Sequence, residues 1–315
     1  MQVLPFAIFA SVLLCLSIND GMAKDYVAPL NLPKDAKIDL KIERNGDGPG
    51  TEILSGKSIT FRYRQMITVA KTGYRVHQIL TGTDLPSGLS PAARAGIEQG
   101  VAASRDVSYE ADASLTPVRM IDWQAQIASA VQAMSKIADS SPDAMRAIKA
   151  AGQQFLRMTP EQGAVTLREQ RMVSIAQGLA LDLHKTVFVD TQAANPLDGG
   201  PIKAVLSVTL ENLDQVGKSA DVHIHQQLDP ETANQITRNL VRALSAKMSG
   251  GKSKVAEAAL SALRIESILD CRANISIESG LATKTDCVST ITGVDQNARS
   301  TTRVDRWTIS QTLVR

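Results

Sequence analysis

The sequence predicts an α+β fold with a mostly antiparallel sheet. Two observations predict it. Apolar residues alternate with polar ones in runs from Ile38 to the C-terminus, the period of a half-buried strand. Helical stripes interrupt these runs in blocks, unlike the one-by-one alternation of βαβ units. No linker rich in Pro, Gly or Ser separates two halves, so residues 24–315 read as a single α+β domain behind a leading segment, 1–23.

That leading segment contains an uncharged apolar run, Val3–Ile18, followed by the small-x-small site Gly21, Met22 and Ala23. The pattern predicts a secretory signal peptide cleaved after Ala23, with an uncleaved anchor as the alternative. Cys15 follows bulky Leu14, which departs from a lipoprotein signal. The expectation is a periplasmic or secreted protein with peripheral or no membrane contact.

In chain order, residues 24–35 form an arm before the alternating Ile38, Leu40 and Ile42. The segment "NGDGPG" then predicts a turn. Strands follow over Ile59–Val69, Tyr74–Leu80 and Val107–Ser114, with a helix opened by Ser90 and Pro91 between the last two. The central block reads as three helices. The first is capped by Asp122 and carries a Trp123, Ile127, Val131, Met134, Ile137 stripe; the second opens at "SPDA". The third opens at "TPEQ" and presents Val165, Met172, Ile175 and Leu179. Strands return at Leu183–Thr191, Ile202–Leu213 and Ala220–Leu228. The helix Pro230–Met248 places Ile236, Leu240, Leu244 and Met248 on one stripe, and a short helix and three long strands complete the chain. "YEADASLTPVRM" (Tyr109–Met120) and "ISIESGLATKT" (Ile275–Thr285) share a pattern of strand, acidic residue, turn, Leu, strand.

Cys271 and Cys287 are the two cysteines of the segment 24–315. Cys271, Ala273, Ile275 and Ile277 alternate outward to "ESG", where Gly280 suits the left-handed position of a three-residue hairpin loop. Pairing Ile277 with Leu281 sets Cys271 opposite Cys287, within disulfide reach. Export permits the bond.

Composition narrows the function. The formal net charge is +2 and aromatic residues are 3%, which argues against nucleic acid and stacking platforms. "AKMSGGKS" (Ala246–Ser253) fits a loose phosphate-loop pattern, but a helix precedes it where a buried strand is required. "DVHIH" puts Asp221, His223 and His225 on one strand face. The two histidines could share a metal only with a third ligand from elsewhere, for which His184 is the candidate; a solvated strand face is the plainer reading. No Gly-x-Ser-x-Gly or His-Glu-x-x-His pattern occurs. The expectation is a protein with no enzymatic activity, catalytic residue, metal or cofactor.

The hairpin "NISIESGLATKTDC" (Asn274–Cys287) resembles one that recurs in bacterial half-barrel lipid and lipoprotein carriers of the LolA/LppX type. The resemblance covers this hairpin and the strand order around it. It implies a curved, half-barrel-like sheet with the helices on one face and no catalytic residues. The chain departs from the family in its length, its large helical block and its lack of a lipobox. The resulting expectation is an apolar pocket between sheet and helices that holds a ligand such as a lipid acyl chain, with Ile236, Leu240, Leu244 and Met248 as candidate lining residues. The alternative is an envelope structural or interaction module with no small-molecule ligand.

Overall fold

The computed structural model describes residues 25–27, 29–48, 56–91, 94–95, 97–98, 101, 105–137, 152–153, 155–193, 202–248, 257–294 and 299–314. Its centre is an open, curved, antiparallel sheet of eleven strands. One wing contains β2 (Lys37–Asp47), β3 (Ile59–Ala70), β4 (Gly73–Asp84), β5 (Asp106–Ala111) and β6 (Pro117–Met120). The other contains β8 (Thr186–Ala193), β9 (Ile202–Asp214), β10 (Ser219–Leu228), β11 (Arg264–Ser276), β12 (Ala282–Val294) and β13 (Ser300–Val314). Last strand pairs with first long strand: β13 runs beside β2, with Ile309 opposite Ile42. A two-stranded sheet, β1 (Tyr26–Val27) with β7 (Ala180–Leu181), ties down the N-terminal arm.

The period-two pattern selects one face of this sheet for burial. Ile38, Leu40 and Ile42 of β2, Leu206, Val208 and Leu210 of β9, and Cys271, Ala273 and Ile275 of β11 are all buried. The segment after residue 159 covers that face. It was expected to be one helix and is instead two short ones, α2 (Pro160–Ala164) and α3 (Arg168–Ser174). Thr159 caps α2 in a reciprocal box with Gln162, and Val165–Leu167 interrupt the helix. Gly163 sits where a Cβ would lie 2.7 Å from the Trp123 ring of α1 (Trp123–Ile137), so α2 packs closely against α1. The expected "SPDA" opening lies outside the described residues.

Met172, Val173, Ile175, Ala176 and Leu179 pack against β9–β13 and β2, while Trp123, Ile127 and Ala164 pack against the other wing. Between these apolar patches lies a buried amide network. Gln65 and Gln170 both donate to Gln78 Oε1 at 2.9 Å, and Gln65 also meets the Tyr109 hydroxyl at 3.1 Å. Gln177 accepts from the Ala282 backbone N–H at 3.2 Å and donates to the Ser114 carbonyl at 2.8 Å. These bonds fix the covering segment in one register on the sheet, because each broken partner would leave a buried polar group unsatisfied.

Several boundaries differ from the sequence reading. "NGDGPG" does not turn at once: β2 continues through Asn45, Gly46 and Asp47, opposite Arg306, Asp305 and Val304. The strand expected over Val107–Ser114 ends at Ala111, and residues 106–120 form a hairpin, β5–β6, in line with the strand, turn, Leu, strand pattern of Tyr109–Met120. Its turn is built on the Asp112 carboxylate, which accepts the backbone N–H groups of Ser114 and Thr116. This hairpin and β11–β12 are the two sequence stretches that share a pattern, and each buries its leucine, Leu115 and Leu281, in the same apolar patch. The β11–β12 loop also differs. Ser276, rather than Ile277, faces Leu281 across the loop, with Gly280 at φ +69°. A register shift then skips Thr283, which restores Cys271 opposite Cys287.

Gly73 closes the β3–β4 hairpin at φ +131°, and a Cβ there would stand 2.2 Å from the Ala111 carbonyl oxygen. Gly73→Ala is expected to lower stability by about 2 kcal/mol, measured by urea unfolding.

Candidate functional site

Cys271 and Cys287 form a disulfide across β11 and β12, with their Cα atoms 4.1 Å apart, and both are buried. Trp307 of β13 is the cross-strand neighbour of Cys287 and of Arg44 on β2. Two guanidinium groups approach its ring. The Arg168 Cζ is 4.2 Å from the ring centroid and the Arg44 Cζ is 5.4 Å away, within cation–π range. Asp305, two residues along on the same face, is 1% exposed. Arg303 Nε donates to it at 2.7 Å and Arg44 donates at 3.1 Å.

The electrostatics of this cluster are uneven. Burial alone would raise the Asp305 pKa, but hydrogen bonds and charge from Arg303 and Arg44 hold it below the usual carboxylate range. Arg168 has no carboxylate partner within ion-pair distance among the described residues. Burial pulls its pKa down to about 10, with Arg44 and Arg303 pushing the same way against Glu169 and Asp305. Burial, then Glu169, raises the pKa of nearby Tyr63. Arg44 Nε and Trp307 Nε1 are buried donors without an acceptor.

A separate groove of about 710 Å3 opens at the other end of β13. The arm residues Asn31–Pro33, the β11–β12 loop and Gln311–Leu313 enclose it, and Leu32, Leu281 and Leu313 supply its apolar surface. A second groove of about 540 Å3 lies at the start of α4 (Pro230–Met248), lined by Thr191, Lys203, Val205, Leu228 and Asp229 among others.

The sequence placed the apolar lining on α4. Ile236 is buried there with Ala233 and Thr237, but it does not line either groove. The side chains of Leu240, Leu244 and Met248 lie outside the described residues, as does the loop of "AKMSGGKS". The residues around Trp307 were missed. Their signal was parity: Arg44 falls on the same strand face as Ile38, Leu40 and Ile42, where another apolar residue was due.

On the opposite face of the sheet, Asp270 faces both histidines of "DVHIH". Its carboxylate oxygens lie 3.1 Å from His223 Nε2 and 3.2 Å from His225 Nδ1. The carboxylate beside them therefore comes from the neighbouring strand. No group of metal-ligating side chains among the described residues is arranged to hold an ion. No helix among them is long and apolar enough to cross a membrane. No protein-family model matches the chain, and no curated protein does.

Proposed function

We propose that the protein is a non-enzymatic envelope protein, exported behind residues 1–23, that holds an apolar chain such as a lipid acyl group in a half-barrel of the LolA/LppX type. The observation that carries this reading is the groove beside Leu32, Leu281 and Leu313. Its volume falls within the range of small-molecule sites, and its mixed lining sets Leu32, Pro33, Leu281 and Leu313 beside polar groups such as Ser276, Thr283 and Gln311, which suits an amphiphile. The curved sheet, covered on one face, supports the half-barrel. On this reading the ligand lies at the end of the sheet, and the α4 stripe of Ile236, Leu240, Leu244 and Met248 is the second candidate wall.

Titration with a fluorescent fatty acid tests the reading. Saturable binding is expected, with affinity about tenfold weaker when Leu32 and Leu313 are both changed to Asp, because each contributes apolar area to the contact. Both side chains are only partly buried, so the melting temperature should fall little. No saturable binding by the unsubstituted protein, and no lipid in native mass spectra of protein isolated from its envelope, would remove the reading.

The interaction-module reading has its own observation. Phe188 on the outermost strand β8 is 72% exposed and Val205 on β9 is 46% exposed. The register sets them diagonally on one face at an open sheet edge. An edge strand with unpaired backbone groups and an apolar face suits strand addition by another chain.

A further inference from the structure

We infer that the arginine cluster around Trp307 is a binding site for an oxyanion, either phosphate or carboxylate. Three guanidinium groups, Arg44, Arg168 and Arg303, meet on the covered face, and Asp305 engages two of them. Glu169, next to Arg168 in the chain, is the other acidic group acting on it, and no ion pair joins the two. The remaining inward neighbours on β3, Ile59, Phe61 and Tyr63, bring no negative charge. Positive charge is therefore in surplus in a partly desolvated place, a costly arrangement unless an anion completes it. The donors are also incomplete. Arg44 Nε and Trp307 Nε1 are buried without an acceptor, and Trp307 is 2% exposed. The Arg168 guanidinium makes no hydrogen bond to the described residues. Its planar fork is suited to two oxygens of one anion. Stacking on Trp307 holds that fork in place without using any N–H donor, so all of them stay available.

The shared chemistry could come from a free anion or from the headgroup of an amphiphile. The site stands on its own residues and does not require the apolar groove. The experiment is calorimetric titration of the full chain with inorganic phosphate and with dodecyl phosphate, using dodecanol as the uncharged control. Binding of both phosphates assigns a general oxyanion site, and binding of dodecyl phosphate without the free ion assigns a headgroup site. In either case Arg168→Gln is expected to weaken phosphate binding by about tenfold or more, and Arg168→Lys by less, since charge is kept and the fork is lost. Arg168→Met should keep the fold, because an unpaired cation is replaced by an apolar side chain of similar length, and should also lose phosphate. Phosphates that fail to bind, or that bind a folded Arg168→Gln variant as tightly as the unsubstituted protein, would overturn the inference. Dodecanol binding that persists in Arg168→Gln leaves the groove intact while the oxyanion site is lost, so the two readings fail separately.

Discussion

Replacing Cys287 with serine is expected to lower the unfolding free energy by about 3 kcal/mol. The bond joins residues sixteen apart, and its absence frees that loop in the unfolded chain. The native state loses too, since both cysteines are about 1% exposed and pack in the apolar patch of Val222, Ile224 and Trp307. A serine hydroxyl there would have to find a partner among apolar neighbours. Reductant added to the unsubstituted protein should produce most of the same loss. Alkylation under denaturing conditions should label neither Cys271 nor Cys287 until the protein is reduced. Two labelled thiols in unreduced protein would show that the bond is absent.

The disulfide illustrates how much could be read locally. Alternation in residues 271–277 and Gly280 were enough to face the two cysteines, although the loop is one residue longer than expected. The shift at Thr283 compensates, and no local pattern marks it. Strand positions were legible because one face is buried and the period is two. The covering segment was legible only as an amphipathic stripe. Its close packing at Gly163 depends on Trp123, forty positions away, and its register depends on buried glutamines. Gln65, Gln78 and Gln170 resemble surface residues in the sequence. Their partners are separated by up to 92 positions, so only the assembled sheet satisfies them. The same holds for Trp307, whose arginines come from β2 and α3. A ligand-lining role for α4 rested on the stripe alone, and a stripe cannot distinguish a wall from a core.

Asp305→Asn is expected to have the largest effect, a loss of about 3–5 kcal/mol. The carboxylate is the acceptor for Arg303 Nε at 2.7 Å, for Arg303 Nη2 at 3.2 Å and for Arg44 at 3.1 Å. An amide keeps the shape but removes the charge and turns one acceptor into a donor facing guanidinium groups. Two partly buried cations then lose their neutralising partner beside Arg168, which already lacks one. The pH dependence follows from the direction of the Asp305 shift. The folded-state pKa lies below the unfolded value, so the folded protein binds the proton less readily. The stabilisation is fully present above the unfolded carboxylate pKa and is lost as pH falls through the folded value. The gap between the unsubstituted protein and Asp305→Asn should therefore be constant from neutral pH down to about 5 and should close at lower pH. Urea unfolding of both proteins across that range measures it. A gap that is small at neutral pH would show that the Arg44–Asp305–Arg303 contact contributes no net stability. A gap that persists into strong acid would assign the loss to shape or packing rather than to the charge of Asp305.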